Sequence, residues 1–119
     1  MRKFLSIFLL AVPAMASAAD IGHGKVVFAR CASCHLVAAN AKPTIGPNLF
    51  GLVGRRAGTQ AGFNYSQSMK SVGFNWTEDQ LDAFLTAPAQ IVPGSRMPAQ
   101  AMPNQTDRED VIAYLATLK

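Results

Sequence analysis

Cys31, Ala32, Ser33, Cys34 and His35 set two thiols three positions apart with an imidazole directly after the second, and the chain holds no other cysteine. At this C-x-x-C-H spacing two thiolates can each add to one vinyl group of a porphyrin. The histidine that follows then lies beneath the ring with a nitrogen aimed at the iron. The pattern predicts one covalently bound haem c per chain, with Cys31 and Cys34 as thioether anchors and His35 as an axial ligand. Two other chemistries use the same residue types. A thioredoxin-like dithiol belongs near alternating strands and helices, and the sequence shows no such alternation. A zinc site needs four ligands, usually from two separated pairs; the only other histidine, His23, stands upstream at an unsuitable spacing.

An iron with one axial histidine takes its character from the opposite face. A neutral thioether there stabilises Fe(II) and suits an electron carrier, whereas an open face favours binding or activation of small molecules. The candidates are Met97, Met102, Met69 and His23. Met97 lies in Val92-Pro93-Gly94-Ser95-Arg96-Met97-Pro98, where two prolines and a glycine stiffen the loop and can aim one side chain inward. Composition favours Met97 over Met102 but leaves both open, and the commoner role of any methionine is to fill a core. His23 reads more readily as a solvated residue of a first helix than as a ligand.

The elements that must position these groups follow from caps and breakers. Asp20 can cap a first helix that carries Lys25, Val26, Val27 and Phe28 into the C-x-x-C-H motif. From Leu36 to Asn64 prolines, glycines and asparagines recur too closely for a regular element, which predicts loop. Ser66 to Lys70 can form a short helix stopping at Gly73. Thr77-Glu78-Asp79-Gln80 is a capping box, with Trp76 and Leu81 in the staple positions, and its helix ends before Pro88. Ile91 to Pro103 is a methionine-containing loop. Thr106-Asp107-Arg108-Glu109 reads as a second capping box opening a last helix, with Val111, Tyr114, Leu115 and Leu118 on one face. No strand pattern and no repeat is present, so the fold is expected to be all-α.

Met1-Arg2-Lys3, an apolar run from Phe4 to Val12, and a small-residue stretch from Pro13 to Ala19 with Ala16-Ser17-Ala18 as an A-x-A site have the layout of a secretory signal peptide over residues 1–18, cut near Ala18 or Ala19. The apolar run is too short and too interrupted for a membrane span, so the mature chain should carry no inserted segment. Residues 19–119 are the size of one small domain, in which the haem disc would form the centre of the core. The formal charge of +4 includes Arg2 and Lys3, so the mature chain is nearer neutral. With Arg55-Arg56 as its longest basic run, nothing points to nucleic acid.

Taken together these residues resemble the class I c-type cytochromes, mitochondrial and bacterial periplasmic. The resemblance rests on Gly24-Lys25-x-x-Phe28, Cys31 to His35, Gly46-Pro47-Asn48-Leu49-x-Gly51-Leu52-x-Gly54-Arg55, Phe63-x-Tyr65, Trp76, Leu81, Pro93 to Met97, and Arg108-Glu109-Asp110-x-Ile112-Ala113-Tyr114-Leu115. It implies a small fold with crossed first and last helices, Gly24 permitting the close approach. The implied function is a one-electron carrier and not an enzyme. As a monomer in the periplasm, it would serve redox proteins such as a cytochrome complex, an oxidase or a dehydrogenase. A dedicated haem subunit of one dehydrogenase or oxidase is the alternative; a peroxidase or gas sensor with a labile methionine is the more distant one.

The same resemblance makes Met97 the second axial ligand and Met102 a packing residue. It makes the Pro47 carbonyl the acceptor for the His35 ring N–H, and it makes Arg55, Tyr65 and Trp76 donors to the haem propionates. Departures from the family pattern are Phe84 in place of a tyrosine, Met69 in place of an asparagine, and Ala89, Gln90 and Ala99 where lysines and a phenylalanine are usual. Arg30, Lys42 and Arg96 are left as remnants of a docking ring.

Overall fold

The computed structural model describes residues 2–11, 18–98 and 101–119; Ala16 and Ser17 of the cleavage motif, and Ala99, lie outside them. Residues 2–11 have no regular secondary structure, and the apolar side chains of Phe4, Leu5, Ile7 and Phe8 are exposed. No described helix is long and apolar enough to cross a membrane.

The fold is all-α, built of α1 (Ile21–Val27), α2 (Gln67–Ser71), α3 (Glu78–Thr86), α4 (Pro88–Ile91) and α5 (Gln105–Ala116), with a 3-10 turn over Phe28–Arg30. Among the described residues the only β pairing is an isolated antiparallel bridge between Arg56 and Asn75. Asp20 caps α1 by accepting the His23 amide at 3.0 Å, so the predicted first helix starts where its cap places it. Ser66 caps α2 and Thr77 caps α3, each by accepting the amide three residues on.

Boundaries differ from the sequence reading by one residue at each end of α2, which runs Gln67–Ser71, and at Ile91, which ends α4 instead of opening the loop; two further differences concern the helix starts. The cap of α5 is Asn104, whose carboxamide accepts the Asp107 amide at 2.9 Å, and Thr106 lies inside the helix. Asn is as good an N-cap as Ser or Thr, and Pro103 ahead of it stops the helix from beginning earlier. Pro88, expected only to end α3, also opens the single turn of α4, where a ring with fixed φ and no N–H suits the first helical position.

The ends of the domain close on each other. A Cβ built on Gly24 would stand 2.5 Å from the Asp110 carbonyl carbon and closer to its oxygen, so only glycine lets α1 rest on the backbone of α5. Beside this contact the Phe28 and Tyr114 rings pack with centroids 5.6 Å apart. Val27, Leu81, Phe84, Val92, Met102, Val111 and Leu115 fill the core between α1, α3 and α5.

Candidate haem site

The 3-10 turn carries α1 into the C-x-x-C-H motif. Cys31 N–H donates to Phe28 at 2.8 Å, and the Cys34 and His35 amides both return to the Cys31 carbonyl at 3.1 and 3.0 Å. This tight turn presents two free, half-buried thiols and delivers His35 inward, where it is 8% exposed. Burial in apolar surroundings pushes the Cys31 thiol up, against a smaller opposing pull from Arg30.

The His35 ring is fixed from two sides. Its Nδ1 lies 2.7 Å from the Pro47 carbonyl oxygen. A carbonyl can only accept, so Nδ1 carries the proton and Nε2 keeps its lone pair. Burial lowers the His35 pKa, outweighing the carbonyl's effect, so the ring is neutral at pH 7 and able to ligate a metal. Gly46 lies flush against the imidazole: a Cβ there would stand 2.5 Å from Cε1 and 2.8 Å from Nδ1.

Pro47 is held in turn by its neighbour Asn48, which is 4% exposed. The Asn48 carboxamide donates to the Ala38 and Ala41 carbonyls at 2.7 and 3.1 Å and accepts the Phe50 amide at 3.1 Å. Its backbone amide donates to the Gln60 side chain at 2.6 Å. A run with no regular element is thereby made rigid by side-chain hydrogen bonds. Asn48 and Gln60 escaped the sequence reading as structural residues; their only signal was polar side chains within an otherwise glycine-rich stretch.

Arg55 is half-buried, and among the described residues its guanidinium meets carbonyls and no carboxylate: Asn48 at 3.0 Å and Phe50 at 3.5 Å. Burial lowers its pKa; the group remains charged and suited to an anion. The Tyr65 hydroxyl accepts the Gln60 amide at 3.1 Å, leaving its own proton to donate. Trp76 is pinned by antiparallel backbone bonds to Arg55 at 2.8 Å and Gly54 at 2.7 Å, and its ring sits edge-on to Phe74 and Phe84.

Further along the chain, Met102 is buried in the core and its amide donates to the Leu85 carbonyl at 2.8 Å. Met97 is only partly buried, at the margin of the core, with its amide 3.3 Å from the Ser95 hydroxyl. Arg108 ties the end of this loop down. Its side chain reaches the Met102 and Pro103 carbonyls at 2.9 and 3.0 Å and Asp82 on α3 at 2.8 Å. Met69, the other methionine weighed, packs at the core margin after the α2 cap.

His23 lies apart from this cluster. Its Nδ1 is 2.7 Å from Asp110 Oδ2, while Asp110 Oδ1 accepts the Asp20 backbone amide at 2.8 Å. The sequence reading treated His23 as simply solvated and overlooked Asp110. The signal was there: Asp110 sits four residues before Tyr114, on the buried face of α5. Of the proposed docking residues, Arg30 approaches Asp107 at 3.4 Å and Arg96 the Asn64 carbonyl at 3.4 Å, both at the surface.

A motif with two thiols, a neutral histidine with one nitrogen free, and an uncompensated guanidinium nearby make a donor set suited to haem. The cytochrome c family model matches residues 21–119. The chain belongs to the cytochrome c family. Cytochrome c2 of Rhodomicrobium vannielii is 46% identical over 101 residues, covering 85% of this chain and 81% of that protein. Cytochrome c2 of Rhodoblastus acidophilus is 40% identical, covering 86% and 95%. Among solved structures, cytochrome cH from Methylobacterium extorquens superposes with a TM-score of 0.78 at 34% identity, over 83% of this chain and 99% of that one. As a cytochrome c with Cys31 and Cys34 in C-x-x-C-H, the chain binds haem c covalently, and it is an electron carrier.

Proposed function

We propose that His35 and Met97 are the axial ligands of a closed, low-spin haem c, and that the protein shuttles single electrons between redox proteins without catalysing a reaction of its own. The observation that carries this reading is the 2.7 Å bond from His35 Nδ1 to Pro47, which leaves Nε2 as the ring's only lone pair beside the two thiols. The bound haem supplies the Fe(III)/Fe(II) couple. Cys31 and Cys34 anchor it, and the Pro47 carbonyl orients His35 and raises its basicity.

Arg55, Tyr65 and Trp76 are the donors for its propionates, where a buried charge left unpaired would be costly. Met97 supports the ligand assignment by its place at the core margin, because Met102 is already committed to packing and to Leu85. Residues 1–18 direct export to the periplasm, with cleavage near Ala18 or Ala19. The mature chain, 19–119, acts there as a monomer and meets a cytochrome complex, oxidase or dehydrogenase through the haem edge.

The test is Met97→Ala in the haem-loaded protein. The near-infrared methionine-to-iron band is expected to vanish, and the ferrous protein, closed to carbon monoxide before, is expected to bind it. A band that survives Met97→Ala and is lost in Met102→Ala would reverse the assignment. Rapid carbon monoxide binding by the unaltered protein would replace the carrier with a sensor or peroxidase.

A further inference from the structure

Asp110 is the one buried carboxylate of the described core, its side chain 6% exposed, yet neither Lys nor Arg reaches it among the described residues. Its partners are the Asp20 backbone nitrogen at 2.8 Å and His23 Nδ1 at 2.7 Å. A carboxylate removed from water is stabilised by a full positive charge, and His23 supplies one only while it is protonated, a state it loses as pH rises. The small-residue run that ends the leader stops at Ala19, so Asp20 is among the first residues a leader peptidase could expose.

We infer that the leader is cut between Ala19 and Asp20, and that the α-ammonium thereby created at Asp20 is the missing cation of Asp110. The inference rests on the export reading and sharpens its cleavage site. Hydrolysis adds the hydroxyl of water to the Ala19 carbonyl carbon and its proton to the Asp20 nitrogen, which takes a further proton from solvent. The nitrogen need not move, for the amide that donates to Asp110 Oδ1 at 2.8 Å becomes a charged donor in place. Processing would convert a neutral hydrogen bond into a half-buried ion pair where α1 crosses α5, the contact that holds the two ends of the domain together.

The charges around that nitrogen favour the ammonium form. Asp20 itself, which caps α1, and Asp107, 3.9 Å from His23 Nε2, are acidic. The cleft beside Ala19 is lined by Glu78, Asp79, Asp82 and Glu109. Opposing them are His23, Lys25 on α1, and two arginines already engaged, Arg30 with Asp107 and Arg108 with Asp82.

The full chain, leader included, is to be expressed in a host that matures c-type cytochromes, and the exported haem-loaded protein analysed by intact mass and N-terminal sequencing. A terminus at Asp20 is expected. A terminus at Ala19 would overturn the inference and leave the export reading standing, whereas retention of residues 1–18 would overturn both. In the processed protein the α-amine, followed by NMR, is expected to titrate about one pH unit or more above its ordinary value of about 8. It should return towards that value in Asp110→Asn. An amine titrating at its ordinary value beside intact Asp110 would refute the ion pair. If Asp110→Asn does not fold, an alanine inserted before Asp20, its terminus verified by mass, moves the charge outward. A melting midpoint lower by about 4 °C or more is then expected, and an unchanged midpoint counts against the pair.

Discussion

Gly24→Ala is the most severe test of how the domain is closed. The added methyl would stand 2.5 Å from the Asp110 carbonyl carbon and 2.9 Å from Tyr114 Cβ. The Asp110 carbonyl oxygen lies closer still and ordinary contact begins near 3.4 Å, so α1 and α5 must part by clearly more than about 1 Å. The obstacle is helix backbone, which cannot swing aside as a side-chain tip can. Overpacking of this kind costs roughly 3 kcal/mol, and the tilted Phe28–Tyr114 pair, worth about 1 kcal/mol, is disturbed with it.

Against this, alanine is the better helix former by up to about 1 kcal/mol. The steric cost wins, and a net loss of about 2–3 kcal/mol corresponds to a fall of roughly 8–20 °C in melting midpoint for a domain of this size. The measurement is thermal unfolding of haem-loaded protein followed by circular dichroism, with haem content per chain determined first so that poor loading is not mistaken for instability. A fully loaded Gly24→Ala protein melting within about 3 °C of the parent would show that the crossing is looser than its geometry says.

Gly46→Ala places a methyl 2.5 Å from the His35 ring and is expected to displace the imidazole, seen as a mixed-spin component in the haem spectrum; an unchanged low-spin spectrum would contradict it. Asn104→Ala removes the α5 cap and should lower stability by about 1 kcal/mol in denaturant unfolding, while Thr106→Ala should cost much less; the reverse order would restore Thr106 as the cap. The pairing of His23 with Asp110 also sets a pH dependence. The hydrogen bond to Asp110 raises the His23 pKa above 6.5, so this contribution is complete below about pH 6.5 and fades as pH rises through the folded value. The Asp20 amide, then His23, lowers the Asp110 pKa below 3.8, so its contribution holds above about pH 3.8 and is lost on further acidification. The midpoint difference between parent and His23→Ala should therefore be largest near pH 5 and shrink in mildly alkaline buffer; a difference flat from pH 5 to 9 would exclude the pair.

What the sequence made legible was local chemistry with a fixed spacing. The C-x-x-C-H turn, the Asp20 and Thr77 caps, and the long irregular stretch after His35 could all be read because each depends on residues close together in the chain. The α5 cap was misplaced because Asn104 and Thr106 both satisfy the local rule, and what separates them is where the chain arriving from Pro103 turns. His23 and Asp110 lie 87 positions apart, and no local pattern ties a histidine on one helix to a carboxylate on another. The Asn48 network was hidden for a related reason: one buried carboxamide gathers several backbone groups of an irregular loop.

That carboxamide makes the loop that carries Pro47 sensitive to slow chemistry. Asn48 donates both of its N–H groups to carbonyl oxygens, Ala38 and Ala41. Conversion of asparagine to aspartate, by mutation or by deamidation with age, keeps the shape and replaces two donors with an acceptor. Two partly exposed carbonyls would then face a carboxylate, each losing a hydrogen bond worth about 1 kcal/mol, one residue from the carbonyl that orients His35. The working lifetime of the electron-carrying site is thus tied to the persistence of a single amide nitrogen one residue away from Pro47.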